Sequence, residues 1–127
     1  MELNTCKIVL IGESNVGKTS IMNRFLKKKF EEIYKPTTTI QYESVLIYKS
    51  NNYSIKLVFW DTAGQERFNS LTKMVYKNAN IIILTYSIDN KLSFEKIKNF
   101  WYNDINDNIE IESKNNLYKK ISIRINW

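Results

Sequence analysis

A chain of 127 residues with 43% apolar content predicts one domain with its own core and no second one. No apolar run of about 18 residues occurs, which excludes a membrane-spanning helix, and the N-terminus enters a strand-like segment too soon for a signal peptide. The net charge of +6 comes from lysines scattered along the chain, with no aromatic-basic array, so no nucleic-acid partner is expected. The single cysteine, Cys6, has no intramolecular partner. It sits in an apolar run and reads as a buried strand thiol in a reduced, cytoplasmic protein.

In chain order, Cys6 to Ile11 is a short apolar run closed by glycine, the pattern of a buried strand. Lys18 to Lys28 predicts a helix with Ile21, Met22, Phe25 and Leu26 on one stripe. The triplet Lys27-Lys28-Lys29 falls at its end, where cations complement the helix dipole. A polar stretch through Thr39 follows, interrupted by Pro36. Tyr42 to Tyr48 and Tyr53 to Asp61 predict two strands around Ser50-Asn51-Asn52, a hairpin signal. Ile81 to Tyr86 predicts a further strand. Ser93 to about Ile105 predicts a helix carrying Phe94, Ile97, Trp101 and Ile105, with Ser93 as its N-cap. The order strand, helix, hairpin, helix, strand, helix predicts an α/β fold with a mostly parallel sheet covered on both faces, a three-layer sandwich. Ligands of such sheets bind outside the carboxyl ends of the strands.

Glycine occurs only at positions 12, 17 and 64, and each falls in a candidate motif. Gly12-Glu13-Ser14-Asn15-Val16-Gly17-Lys18-Thr19 fits G-x-x-x-x-G-K-[ST] between a predicted strand and helix. In that pattern successive backbone N–H groups converge on a phosphate, aided by the positive end of the helix. Lys18 then neutralises the β- and γ-phosphates, and the Thr19 hydroxyl ligates Mg²⁺. The second motif is a strand ending in an acid, Trp60-Asp61, followed by Thr62-Ala63-Gly64-Gln65-Glu66-Arg67-Phe68. It delivers Asp61 beside the loop as a metal ligand, with the Gly64 N–H for the γ-phosphate and Gln65 to position the attacking water.

With these strings, I-G-E-S-N-V-G-K-T-S, W-D-T-A-G-Q-E-R-F and S-F-E-K-I-K-N-F-W, residues 6 to 105 resemble the Ras-superfamily small GTPases, and the Rab family most closely. Ran-type GTPases share part of the second string. The resemblance implies a P-loop NTPase fold that binds GTP or GDP with Mg²⁺ and hydrolyses GTP as a switch in vesicle trafficking. It implies that Thr39, in T-T-T-I, is the switch threonine, whose hydroxyl reaches Mg²⁺ and whose N–H reaches the γ-phosphate only in the triphosphate state. Ser20 is either a contact to the α-phosphate or an ordinary first-turn residue. Phe30 is either the aromatic on the base edge or a hydrophobic staple after the first helix. Residues 30–41 and 62–76 correspond to switches I and II, through which an exchange factor, a GTPase-activating protein and effectors act.

Three departures stand out. Gln41 replaces the glycine usual after T-I, the segment from Lys18 to Thr39 is slightly long, and Ser87 stands where many Rabs have aspartate. The guanine-reading Asn-Lys-x-Asp string does not occur, nor do the Ser-Ala-Lys loop and prenylated C-terminal cysteines. The expectation is a partial GTPase domain over residues 1–112, lacking the final strand and helices and any lipid anchor of its own, and a divergent tail over 113–127. That tail alternates Ile121, Ile123, Ile125 and Trp127 with polar residues. It is either a replacement strand at the sheet edge or unrelated sequence. The competing function is a non-catalytic fragment or interaction module without a guanine pocket. An ATP-using P-loop kinase shares only the first motif and leaves Asp61-Thr62-Ala63-Gly64-Gln65 unexplained.

Overall fold

The strand Asn4–Ile11 (β1) explains how the sheet is covered. Successive side chains of a strand point to opposite faces, so Ile8 and Leu10 enter one core while Val9 and Ile11 enter the other. All four are 6% exposed or less. A strand buried on both faces needs near-continuous apolar sequence rather than alternation, which is what Ile8 to Ile11 supplies. The computed structural model describes residues 4–32, 35–50, 53–63, 74–108 and 121–122.

The helix Lys18–Lys27 (α1) follows β1 and packs Met22, with Ile21 and Leu26, against Ile8, Leu10, Phe59 and Ile83. Phe25, expected on the same stripe, is 46% exposed, but its ring still meets Phe59 at 5.2 Å. The Lys27 ammonium bonds Glu43 at 2.7 Å and ties the end of α1 to the next strand. That strand, β2 (Gln41–Ser50), runs antiparallel to β3 (Tyr53–Asp61). β1 lies parallel between β3 and β4 (Ile81–Leu84). Ile121–Ser122 (β5) adds a short parallel edge beside β4, with Ile83 opposite Ile121. The sheet order is therefore β2-β3-β1-β4-β5. Because two parallel ladders join β3, β1 and β4, their carboxyl ends align, and Ile11, Asp61 and Leu84 finish on the same edge.

The second face is covered by Val75, Tyr76 and Ala79 and by a continuous helical rod. This rod comprises α2 (Lys91–Lys96), a π-helical turn (Ile97–Trp101) and α3 (Tyr102–Asn108). Its cap differs from expectation: Asn90, not Ser93, is the N-cap, its Oδ1 accepting from Ser93 N at 3.2 Å. Ser93 is instead buried in the first turn, where its hydroxyl donates to Asn90 O at 2.7 Å and accepts from Ser87 N at 3.0 Å. The strand expected to reach Tyr86 ends at Leu84; Thr85 still donates to Ile11 O, and its own carbonyl lies against Gly12. Cys6 is half-buried rather than buried, and burial pushes its thiol pKa up. Of the helix expected between β3 and β4, residues 74–76 are helical, whereas 64–73 lie outside the described residues.

Candidate phosphate and metal site

The loop leaving β1 is shaped by backbone, and its glycines show why. Thr85 N donates to Ile11 O at 2.7 Å, drawing the end of β4 against the loop. A Cβ at Gly12 would lie 2.1 Å from Thr85 O, and Gly12 has φ +145°, so only glycine fits there. Further along, Asn15 (φ 63°) and Gly17 (φ 96°) are left-handed and turn the chain back on itself. Val16 is 4% exposed and anchors the turn between two solvent-facing residues, Ser14 and Asn15 and the helix start. Gly17 is the N-cap of α1 and brings no side-chain cap, so the first N–H groups of the helix point into the loop uncapped.

Lys18 folds inward. Its ammonium donates to Gly12 O at 2.9 Å and Glu13 O at 2.6 Å, and the residue is 5% exposed. Burial lowers its pKa from 10.5 to about 8, opposed by the charges of Asp61 and Glu13. Asp61, the last residue of β3, is fully buried opposite Leu10, and Thr62 Oγ1 donates to Leu10 O at 2.9 Å, fixing the exit of the strand. Burial raises the Asp61 pKa, while the Thr19 hydroxyl bond and Lys18 oppose the rise. Thr19 Oγ1 donates to Asp61 Oδ2 and lies 2.7 Å from Thr37 Oγ1.

Asp61 Oδ1 is buried with no hydrogen-bond partner among the described residues. An orphaned buried carboxylate oxygen is costly unless a ligand satisfies it. Two hydroxyls stand in the same cluster. No group of three His, Cys, Asp or Glu side chains is close enough to hold an ion among the described residues. One carboxylate with hydroxyl oxygens is the sparse, hard donor set that suits Mg²⁺, which keeps waters and substrate phosphates as its other ligands. The residues present therefore fit the ion.

A cavity of about 20 Å³ opens among Asn15, Gly17, Lys18, Thr19, Ser20, Thr37, Thr62 and Ala63, room for a single small species. A second, of about 220 Å³, adjoins it at Thr19, Ser20 and Thr37 and extends past Asn23 to Lys29, Lys35 and Gln41. Its lining carries Lys29 and Lys35 against one acid, Glu31, a net positive charge that favours an anionic occupant.

Of the residues expected from sequence, Gly12, Glu13, Val16, Gly17, Lys18, Thr19 and Asp61 converge at the end of β1 and β3. Ser20 lines both cavities. Thr39 is exposed and lines neither; Thr37, two residues earlier, is the threonine that reaches Thr19. Phe30 is half exposed and also lines neither cavity. Gly64 and Gln65 lie outside the described residues. Sequence reasoning missed Thr37, Lys29, Lys35 and a bond from Trp101 to Glu13. The run Thr37-Thr38-Thr39 was the only available signal for the first.

A parallel sheet that presents a glycine-shaped anion loop, its lysine and a strand-end carboxylate at one edge defines a P-loop nucleotide-binding domain. A sequence-family model described as the Ras family matches residues 7–121. The Ras-related protein Rab-1 of Theileria annulata is 42% identical over 99 residues, which is 78% of this chain and 44% of that protein. RabC of Dictyostelium discoideum is 43% identical over 101 residues, 79% of this chain and 51% of that protein. The Rho-related GTP-binding protein RhoH of Mus musculus is 39% identical over 108 residues, 84% of this chain and 55% of that protein. The chain belongs to the Ras family and is a Rab/Ras-like small GTPase in kind. It spans about half the length of the curated relatives it matches.

Proposed function

We propose that this chain binds GTP and GDP with Mg²⁺ in the loop Gly12–Thr19 and hydrolyses GTP as a molecular switch in vesicle trafficking. The observation that carries the reading is the cluster of buried Lys18 and Asp61 with half-buried Thr19, in which Asp61 Oδ1 has no partner among the described residues. In this reading the loop amides and Lys18 hold the phosphates, and Ser20 borders the neighbouring cavity that continues along the nucleotide. Thr19 and Asp61 hold the metal, directly or through water. Thr39 is the switch threonine that reaches the ion and the γ-phosphate only in the triphosphate state, while Thr37 is the one hydrogen-bonded to Thr19 here. When bound, Mg²⁺ neutralises the charge that develops between the β- and γ-phosphates. Gly64 and Gln65 follow Asp61 by only three and four residues, which supports their roles at the γ-phosphate and the attacking water.

Residues 1–112 act as the nucleotide domain and 113–127 as a tail. Segments 30–41 and 62–76 are the surfaces for exchange factor, activator and effectors, and the protein works in the cytoplasm. Intrinsic hydrolysis on the order of 10⁻⁴ s⁻¹, accelerated about 10⁵-fold by an activator's arginine, is the expected scale.

The test is nucleotide content and competition. Purified protein is denatured and its supernatant chromatographed, and a fluorescent GDP is then competed with GTP and with ATP, with and without Mg²⁺. Bound guanine nucleotide, retained better with Mg²⁺, supports the proposal. A protein that carries none and binds none sinks it. Weak, equal competition by ATP and GTP instead favours the interaction module, the reading motivated by the lack of an Asn-Lys-x-Asp string in these 127 residues.

A further inference from the structure

Glu13 is held at two points. Its carbonyl accepts from the Lys18 ammonium at 2.6 Å, and its side-chain Oε1 accepts from the Trp101 indole N–H at 2.9 Å. The second bond crosses 88 residues and joins the helical rod to the phosphate loop. Trp101 is 4% exposed, packed among Val9, Ile11 and Ile105, with Phe100 edge-on at 4.9 Å. An indole nitrogen only donates, so a buried one needs an acceptor. A carboxylate makes that bond charge-assisted, hence short and directional.

The helix is irregular where this bond is made. Trp101 closes the π-helical turn, in which Tyr102 N donates to Ile97 O. One inserted residue turns everything beyond it by about 100° around the helix axis. Such turns are costly and recur where they aim a side chain.

We propose that Trp101 is a positioning residue for the phosphate loop: through Glu13 it fixes the carbonyl that holds Lys18, and the π turn is what brings the indole there. This rests on the phosphate-binding reading of the loop. It makes the rod a second support of the loop beside the Thr85 contact, so that movement of the rod is felt at Lys18.

The experiment compares the full chain with Trp101→Phe, Glu13→Ala and the double variant. Trp101→Phe keeps an aromatic ring in the core and removes the donor together with part of the indole's volume. Glu13→Ala keeps every apolar side chain of the core and removes the acceptor of the indole N–H. The chain has three tryptophans, so the proton–nitrogen spectrum shows at most three indole signals; the one lost in Trp101→Phe must shift in Glu13→Ala. The release rate of fluorescent GDP rises about fivefold to fiftyfold in each single variant and no further in the double. Amide exchange in residues 13–16 of the nucleotide-free chain quickens in both. An indole signal indifferent to Glu13→Ala, or single-variant effects on release that multiply in the double, overturns the inference. A wild-type chain that binds no GDP while the indole and exchange results hold would instead defeat the nucleotide reading and leave the strut standing.

Discussion

The phosphate loop and the threonine run face each other across the same small cavity but are held by different means. Residues 12–19 are bound by their own backbone: Gly12 lies against Thr85, Asn15 and Gly17 are left-handed, and Lys18 is tied to two carbonyls. Residues 35–41 contribute one side-chain bond to the site, from Thr37 to Thr19, and five of those seven residues are exposed. The loop is preorganised for its ligand, whereas the exposed threonine run reaches the site through the Thr37 hydroxyl, before Ile40 packs on the core and Gln41 enters β2. A site built this way keeps its anion cradle while the facing segment is free to respond to what the cradle holds.

The sharpest way to break the contrast is Gly12→Ala. The added methyl has no room against Thr85 O, and the residue's φ is unfavourable for alanine. Melting should show a loss of about 1–3 kcal/mol, and nucleotide retention should be abolished. Retention at wild-type level would mean that the loop is not rigid. Next in size is the comparison of Thr37→Val with Thr39→Val. Removing the Thr37 hydroxyl should speed Mg²⁺-dependent GDP release about tenfold, with a smaller effect at Thr39. The reverse order would mean that the Thr37 hydroxyl has no part in holding the site.

The nucleotide-free chain should also show a pH signature. Folded Lys18 gives up its proton near pH 8, whereas the unfolded chain holds it to about 10.5. Between these values the unfolded state binds more protons, so stability rises with pH. Lys7, also lowered by burial, adds in the same direction. Tyr76 works oppositely above pH 10, because burial and its bond to Asp104 keep the phenol protonated where the unfolded chain ionises. The thermal midpoint should therefore climb from pH 8 toward 10 and then turn over. The smallest effect is expected from Lys27→Ala. Its exposed pair with Glu43 should change stability by about 0.5 kcal/mol or less, measured by urea unfolding.

The comparison also explains what could be read in advance. Loop function demands particular backbone geometry, and in a chain with three glycines that demand leaves an unmistakable mark. The apolar runs of β1 and β4 marked the sheet for the same reason, since burial on both faces tolerates little else. Lys7 interrupts the first run without breaking it, because its ammonium lies 4.1 Å above the Trp60 ring and donates to Lys77 O at 2.8 Å. Three identical threonines carry no such mark: only the path of the chain after Pro36 decides which one reaches Thr19. Trp101 was visible as a core residue at helical spacing, but the π turn was not. The phase break leaves Phe94, expected on the same stripe, 38% exposed and packed on Tyr86 at 4.9 Å instead. The indole bond to Glu13 depends on that break, so no regular helical wheel could have shown it.

The most direct measurement of the central claim is a crystal structure of the chain grown with GDP and Mg²⁺. The account predicts the β-phosphate within hydrogen-bonding distance of the amides of residues 14–19 and of the Lys18 ammonium, with the ion between Thr19 and Asp61. Phosphate density away from that turn, or an ion that leaves the buried Asp61 oxygen unsatisfied, would contradict it.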